Sequence, residues 1–263
     1  MKKLLLLTTI VIYVAAQAQM KEGRILYERT SQIQMRIPNM DPEIAKQLPK
    51  SRTDQFELLF GNNRSLWQYL PTVNADDNSF SNGNMTFRFN MGSNDVSYCD
   101  LAKGTKTDQR EVMDKNFVVS DTIQKLDWKL SDETKTILNY TAHKATAQRI
   151  ATRNRMAMEN GKMKSEPFQD TATVIAWYTT DMPVAIGPEL QGQLPGAILE
   201  LDVNNGQTFY KAIEISSKVN VNKIKEPKDG KKVTAVEFIK ERDKIMEEMR
   251  KNMPEGMQIR VQN

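Results

Sequence analysis

Three methionines within eight residues, Met156, Met158 and Met163 in the stretch RMAMENGKMK, are the side chains whose type and spacing suggest the most specific chemistry. Asn160-Gly161 predicts a two-residue hairpin turn, because both residues tolerate positive φ. In that register Glu159 faces Lys162, Met158 faces Met163, and Met156 shares their side of the ribbon. Thioethers are soft ligands that suit Cu(I), the one cofactor such a cluster would take. The simpler reading is that the three methionines pack on the sheet, as Met often does. The chain holds 15 methionines, 13 of them beyond Met20.

Other chemistry is thinly supplied. The single histidine, His143, leaves no second imidazole for a zinc site. It lies in the strand-like YTAHKATAQR, far from any nucleophile-elbow glycine pattern, and reads as a sheet-face histidine. Cys99 in SYCDL reads as a small packed apolar residue rather than a nucleophile. Glu200 and Asp202 share one strand face. Paired carboxylates could hydrolyse a glycoside, but a solvent-facing ion pair with Lys211 is simpler. Neither a Walker motif nor a dinucleotide-binding glycine motif occurs. Catalytic residues are therefore expected to be none.

These residues must be positioned by strands. GRILYERTSQIQ alternates from Gly23, and Gly61-Asn62-Asn63 separates two strand-like runs. A further hairpin is expected around Asp114-Lys115-Asn116, and strands flank Asn139. Asn205-Gly206 should close a type I′ turn with Glu200 opposite Lys211 and Ile198 opposite Ile213. Three proline corners, DMP at Asp181, IGP at Ile186 and LPG at Leu194, interrupt the chain between the run VIAWYT and the run AILEL. Proline gives a ladder no donor, so the first strand should end at Thr179 and the second begin at Ala197. Leu194-Pro195-Gly196-Ala197 matches a type II turn with positive φ at Gly196. The C-terminal TAVEFIKERDKIMEEMRKN has a capping box, Thr234 with Glu237, and an apolar stripe at helical spacing. Its polar face carries Glu241, Asp243, Glu247 and Glu248, which suits a helix docked on a sheet rather than on a membrane. The fold class is thus mainly β: an antiparallel, curved sheet with one C-terminal amphipathic helix.

The N-terminal MKKLLLLTTIVIYVAAQAQ has a short basic start, an apolar run and the small-x-small Ala16-Gln17-Ala18. The run is shorter than the ~20 residues that cross a bilayer. The expected organisation is a signal peptide over 1–18, an antiparallel β domain over 19–221, and a polar hinge with the C-terminal helix over 222–263. Cleavage near Ala18 implies a periplasmic or secreted protein without a membrane anchor. One cysteine permits no internal disulfide. Net charge is +4, or +2 without Lys2 and Lys3, too balanced for a nucleic-acid binder.

The segment from Trp128 to Ser216 resembles the GLPGLI family of exported bacterial proteins. The likeness rests on WKLSDETKTILNY (Trp128 to Tyr140), Lys144-Ala145, AWYT with Trp177, Met182-Pro183, Gly187-Pro188, and Leu194, Pro195, Gly196 and Ile198. Gln193 stands where the hexapeptide has its first Gly, and Ala197 where it has its second Leu. Ala142 stands where many members carry Cys. The resemblance implies a curved antiparallel sheet and an envelope location, and it implies no reaction. It suggests an outer-membrane transport system as partner, beside the option of a small apolar ligand. Three functions stay open: a non-enzymatic binding or accessory module of the envelope, a Cu(I)-handling protein, and a carboxylate hydrolase.

Overall fold

The computed structural model describes residues 19–33, 49–71, 79–82, 85–88, 95–159 and 162–251, with backbone alone for 79–82, 85–88, 151–167 and 250–251. Fourteen strands and one long helix run along these residues. The strands are β1 (Gly23–Gln32), β2 (Ser51–Gly61), β3 (Arg64–Leu70), β4 (Ser79–Asn82), β5 (Met85–Arg88), β6 (Val96–Asp100) and β7 (Thr105–Val112). They continue as β8 (Lys115–Thr122), β9 (Lys129–Ile137), β10 (Tyr140–Glu159), β11 (Lys162–Thr179), β12 (Ala197–Val203), β13 (Thr208–Ser216) and β14 (Lys231–Thr234). Helix α1 spans Ala235–Lys251. Twelve strands form one open sheet in the order β14-β8-β7-β6-β3-β2-β1-β13-β12-β11-β10-β9, and β4 pairs with β5 alone.

All ladders are antiparallel except β14 on β8, which is parallel. That strand runs from the end of the expected polar hinge to the expected helix start, where KKVT is too short a run to read as a strand. It is reached by a long crossover, as parallel pairing requires.

The tight turns follow their residues. Asn62 and Asn63 (φ 54° and 56°) join β2 to β3, Leu138 and Asn139 (48° and 68°) join β9 to β10, and Asn205 and Gly206 (53° and 81°) join β12 to β13. Positive φ at both central positions is the type I′ geometry that matches strand twist. The turn between β7 and β8 is Met113-Asp114, with Met113 at φ 60°, one to two residues before the expected place. Glu200 does face Lys211. Its ion-pair partner is nevertheless Lys135 on β9. The β12–β13 ladder ends at that pair, and the Ile198 amide turns instead to the carbonyl of Ile186 at 2.8 Å.

One face of the sheet carries the main core, including Tyr27, Leu58, Phe60, Trp67, Val174, Ala176, Leu201, Tyr210 and Ala212. The crossing segment 180–196 lies against it and buries Met182, Ile186 and Leu194. A single layer can bury so much only by curling around that segment. The side chains show this: Ser65 on β3 bonds Gln191, Arg149 on β10 bonds Glu189, and Leu126 bonds Gln193. On the opposite face Leu59, Leu66 and Tyr98 are covered by Ile224. The helix packs Phe238 and Ile245 on Phe117, Val119 and Val233. Its capping box is formed: the Glu237 carboxylate accepts from the Thr234 amide at 2.8 Å, and the Glu237 amide donates to Thr234 Oγ1 at 3.3 Å.

Gly196 does not hold the positive φ expected of a type II turn. A Cβ there would lie 2.0 Å from the Thr179 carbonyl oxygen, so the glycine is required by close approach of two backbones. The left-handed glycine of this corner is Gly192, at φ +71°.

Candidate partner-binding rim

Topology collects the long excursions at one end of the sheet. Register places Gln32 beside Ser51, and Leu70 of β3 lies opposite Gln55. The chain therefore leaves β1 and re-enters β2, and leaves β3 and re-enters β6, at the same rim. Asn204, in the β12–β13 turn, donates its amide to the Thr173 carbonyl at 2.8 Å, which puts the outgoing part of β10 and β11 there too.

Those two strands extend well past the sheet. β9 pairs with β10 up to Thr146, and β12 pairs with β11 from Val174. Beyond these, β10 and β11 pair only with each other over twelve register pairs, from Gln148↔Thr173 to Glu159↔Lys162. At ~3.4 Å per residue the ribbon is about 40 Å long. An isolated two-stranded ribbon is marginal in water, and among the described residues no further strand pairs with its outer edges.

Alternation sorts its residues sharply. One face takes Ile150, Thr152, Asn154, Met156 and Met158 from β10, with Met163, Ser165, Pro167, Gln169 and Thr171 from β11. None is charged. The other face takes every charged residue of the ribbon: Arg149, Arg153, Arg155, Glu159, Lys162, Lys164, Glu166 and Asp170. Ile150, at the base of the uncharged face, is 64 % exposed. The expected pairings Met158↔Met163 and Glu159↔Lys162 are present, with Met156 opposite Ser165. The proposed turn residues Asn160 and Gly161 lie outside the described residues.

Beneath the rim, on the core face, lies a cluster of charges. Tyr210, Arg29 and Asp54 stand in one row across β13, β1 and β2. Arg29 Nη2 donates to Asp54 Oδ2 at 2.7 Å, and Arg52 Nη2 lies 2.6 Å from Asp54 Oδ1. The Arg29 guanidinium stacks on Phe56, 4.6 Å from the ring centre, and its Nε is buried with no partner among the described residues. Glu189 accepts from the Tyr210 hydroxyl and from Arg149 Nη1, the latter at 2.9 Å. Glu189 sits at φ 54°, a conformation a non-glycine residue holds only when its surroundings impose it. Burial opposes its charge, but the Tyr210 hydrogen bond and Arg149 outweigh burial and hold its carboxyl below the usual range. Burial, then Glu189, pushes the Tyr210 phenol well above its ordinary value. The carboxylates and arginines are tied to one another, so the cluster fastens the crossing segment to the sheet at the base of the ribbon. Sequence reading missed it, since Arg29, Asp54, Arg149 and Glu189 are far apart in the chain and each looks like a surface charge.

The motif residues build the opposite end. Leu194 and Ile198 are buried, and the Ile198 carbonyl accepts from the Tyr27 hydroxyl at 2.6 Å. A Cβ on Gly187 would meet Ile198 at 2.7 Å. Pro183, Pro188 and Pro195 lie in the crossing segment, outside any strand. Trp128 and Tyr140 pack at the margin of the core. Trp177, opposite Glu200, carries Lys135 over its ring at 4.2 Å. Gln193 accepts from the Leu126 amide at 2.9 Å and from Trp128 Nε1 at 3.2 Å.

The remaining candidates have local partners. Asp202 accepts from the Gly206 amide at 2.6 Å, and Glu200 is bound to Lys135. His143 rests 6.0 Å from the Tyr178 ring centre. Cys99 is buried, in no disulfide, and hydrogen-bonded with Ser65, its thiol pushed up to about 12 by burial. Among the described residues no group of three His, Cys, Asp or Glu side chains could hold a metal, and no helix is long and apolar enough to cross a membrane.

A family model described as a protein of unknown function (Porph_ging) matches residues 128–200, the stretch from Trp128 to Glu200. No curated protein matches the chain. Among solved structures, PNGF-II in its C2 crystal form is similar at 16 % identity and a TM-score of 0.50, over 83 % of this chain and 32 % of that one. The P21 form of the same protein gives a TM-score of 0.49 at 16 % identity, over 85 % and 34 %. This chain therefore spans about a third of the solved protein, and the likeness concerns the fold alone.

Proposed function

We propose that this chain is an exported envelope protein of the GLPGLI kind that works without chemistry of its own, as a binding or accessory module whose partner takes hold of the ribbon. The observation that carries the reading is the twelve-pair ribbon beyond the sheet, with no strand partner on either edge among the described residues and one face free of charge. Such an element is stabilised when another surface pairs its edges or covers its face. One face offers roughly 400 Å² if it is about 10 Å wide, so two copies laid face to face would bury only about 800 Å², below the ~1,200 Å² of stable interfaces. A groove in a different protein that embraces both faces and an edge passes that mark. The protein's own side chains fill the core face of the sheet, which favours a protein partner over a small apolar ligand. An outer-membrane transport assembly is the partner the family resemblance suggests. The N-terminal basic and apolar stretch supports export, with release near Ala18.

The test replaces residues 150–171 by a short turn and compares both proteins in the native host. Secreted and periplasmic fractions are separated by native electrophoresis, and the mature N-terminus is read by mass spectrometry. The expected result is a processed protein that migrates in an assembly larger than itself, and a shortened variant that is folded but migrates alone. Identical migration of the two would overturn the docking role, and an unprocessed N-terminus would overturn export.

A further inference from the structure

We propose that the cleft between the β3–β6–β7 end of the sheet and the segment 225–229 binds a small hydroxylated carboxylate, a ligand with the chemistry of a sugar acid. The cleft lies on the face away from the main core, at the end of β3 and β6 opposite the rim that bears the ribbon. Its volume of about 700 Å³ falls within the ~300–1,000 Å³ of small-molecule sites. It shares no residue with the ribbon, so failure of either reading leaves the other standing.

Ordinary surface charge is the competing explanation, and two features weigh against it. The first is a fixed wall. At one end of the segment Ile224 is buried on Leu59, Leu66 and Tyr98. At the other, Gly230 (φ 143°) passes so close to β8 that a Cβ would stand 2.7 Å from the Asn116 carbonyl oxygen. Between them Thr107 Oγ1 donates to Glu226 Oε1 at 2.7 Å. The cleft is thus formed before a ligand arrives, which lowers the cost of binding.

The second feature is Tyr98. It lines the cleft and is only 7 % exposed, yet its hydroxyl has no hydrogen-bond partner among the described residues. A buried tyrosine hydroxyl ordinarily finds one, as Tyr27 does at Ile198 and Tyr210 at Glu189. Arg64, Asp100 and Glu226 stand close enough to the phenol to act on its charge. The hydroxyl is therefore a free donor among charged groups.

Charge selects the ligand. Arg64, Lys103, Lys225 and Lys228 line the cleft against Asp100, Glu226 and Asp229, which leaves one net positive charge. Asp100 is already answered by Lys103, whose amide donates to it at 3.1 Å and whose Nζ lies at 3.4 Å. Arg64 faces Asp100 across the β3–β6 ladder and is in no ion pair among the described residues. A planar guanidinium takes a carboxylate through two parallel bonds. One carboxylate balances the lining, whereas a phosphate dianion overshoots it. Tyr98, Thr105 and Gln109 suit hydroxyl groups on the same ligand, and an apolar ligand would strand them.

Isotope-labelled mature chain is titrated at pH 7 with D-glucuronate, D-glucose, acetate and glucose 6-phosphate, followed by amide chemical shifts. Glucuronate is expected to shift the amides of residues 98–105 and 224–230 and to bind roughly tenfold or more tightly than glucose or acetate. Arg64→Gln should weaken it roughly tenfold. Tyr98→Phe removes only the unpartnered hydroxyl, so it should weaken glucuronate several-fold with the urea midpoint unchanged, and it tests the site even where Arg64→Gln disturbs folding. Absence of shifts at those amides, glucuronate no tighter than acetate or glucose, or full affinity in Tyr98→Phe overturns the site. Tighter binding of glucose 6-phosphate overturns the match to a carboxylate.

Discussion

Gly196 lies directly under the carbonyl of Thr179, so close that a Cβ would stand 2.0 Å from the oxygen. The contact closes the loop between the end of β11 and the start of β12, where Ala197 pairs with Thr179. No side chain at position 196 can rotate away, since the Cβ itself is the clashing atom. Gly196→Ala must therefore displace backbone, and a loss of about 1–3 kcal/mol is expected, as in overpacked cores. Gly206 gives the comparison: its φ is +81° but a Cβ there meets open space. Gly206→Ala should cost about 1–2 kcal/mol through left-handed strain alone. Urea unfolding of both variants checks the difference, and a Gly196→Ala midpoint equal to wild type would contradict the close approach.

The Glu189 cluster predicts a specific acid sensitivity. The folded state holds this carboxyl below the ordinary value, with Tyr210 and Arg149 outweighing burial. The stabilisation is present above the unfolded value of ~4.3 and is lost as pH falls through the folded value. The side chain is 35 % exposed, so solvent screening keeps the effect modest. Glu189→Gln should lower the urea midpoint at pH 7 and bring it close to wild type near pH 2. A constant gap between the two proteins over that range would show that Glu189 titrates normally.

Cys99 should behave as an inert thiol. Burial pushes it up to about 12, against the partial relief given by Lys106. At pH 8 the native protein should resist iodoacetamide and react promptly once unfolded. The sign at alkaline pH follows: the contribution is intact below the unfolded value of ~8.5 and is lost as pH rises towards 12, because the unfolded chain releases the proton first. Cys99→Ala should fall less steeply in stability over that window. Rapid labelling of native protein at pH 8 would refute the burial.

Local signals in this sequence carried most of the fold. Asn-Asn, Leu-Asn and Asn-Gly pairs mark where hairpins close, and Thr234 with Glu237 marks where the helix starts, because these act over two to four residues. The proline corners correctly end one strand at Thr179 and begin the next at Ala197. What stayed hidden depends on distant pairing. KKVT is a strand because β8 offers it an edge. Gly196 is a glycine because of Thr179, seventeen positions earlier. The ribbon was visible as a pair of strands, but its projection was not, since that depends on where β9 and β12 stop. The Glu189 cluster draws on β1, β2, β10, β13 and the crossing segment, and no spacing along the chain could assemble it.

Gln193 stands at the last corner of the crossing segment, and the structure gives it a task. Its Oε1 accepts from the Leu126 amide and from Trp128 Nε1, at 2.9 and 3.2 Å, and its Nε2 donates to the Gln124 carbonyl. One side chain thus fastens the segment after β8 to the crossing segment. Gln193→Gly removes all three bonds and is expected to cost about 1–3 kcal/mol where donors stay buried. Gln193→Glu keeps the acceptor and gives up the donor. It should retain the Leu126 and Trp128 bonds and recover part of the loss. The Trp128 indole N–H reports the bond by hydrogen exchange: it should exchange faster in Gln193→Gly than in wild type, with Gln193→Glu between them. Equal exchange in all three would show that Trp128 is held by packing alone, with Gln193 contributing nothing.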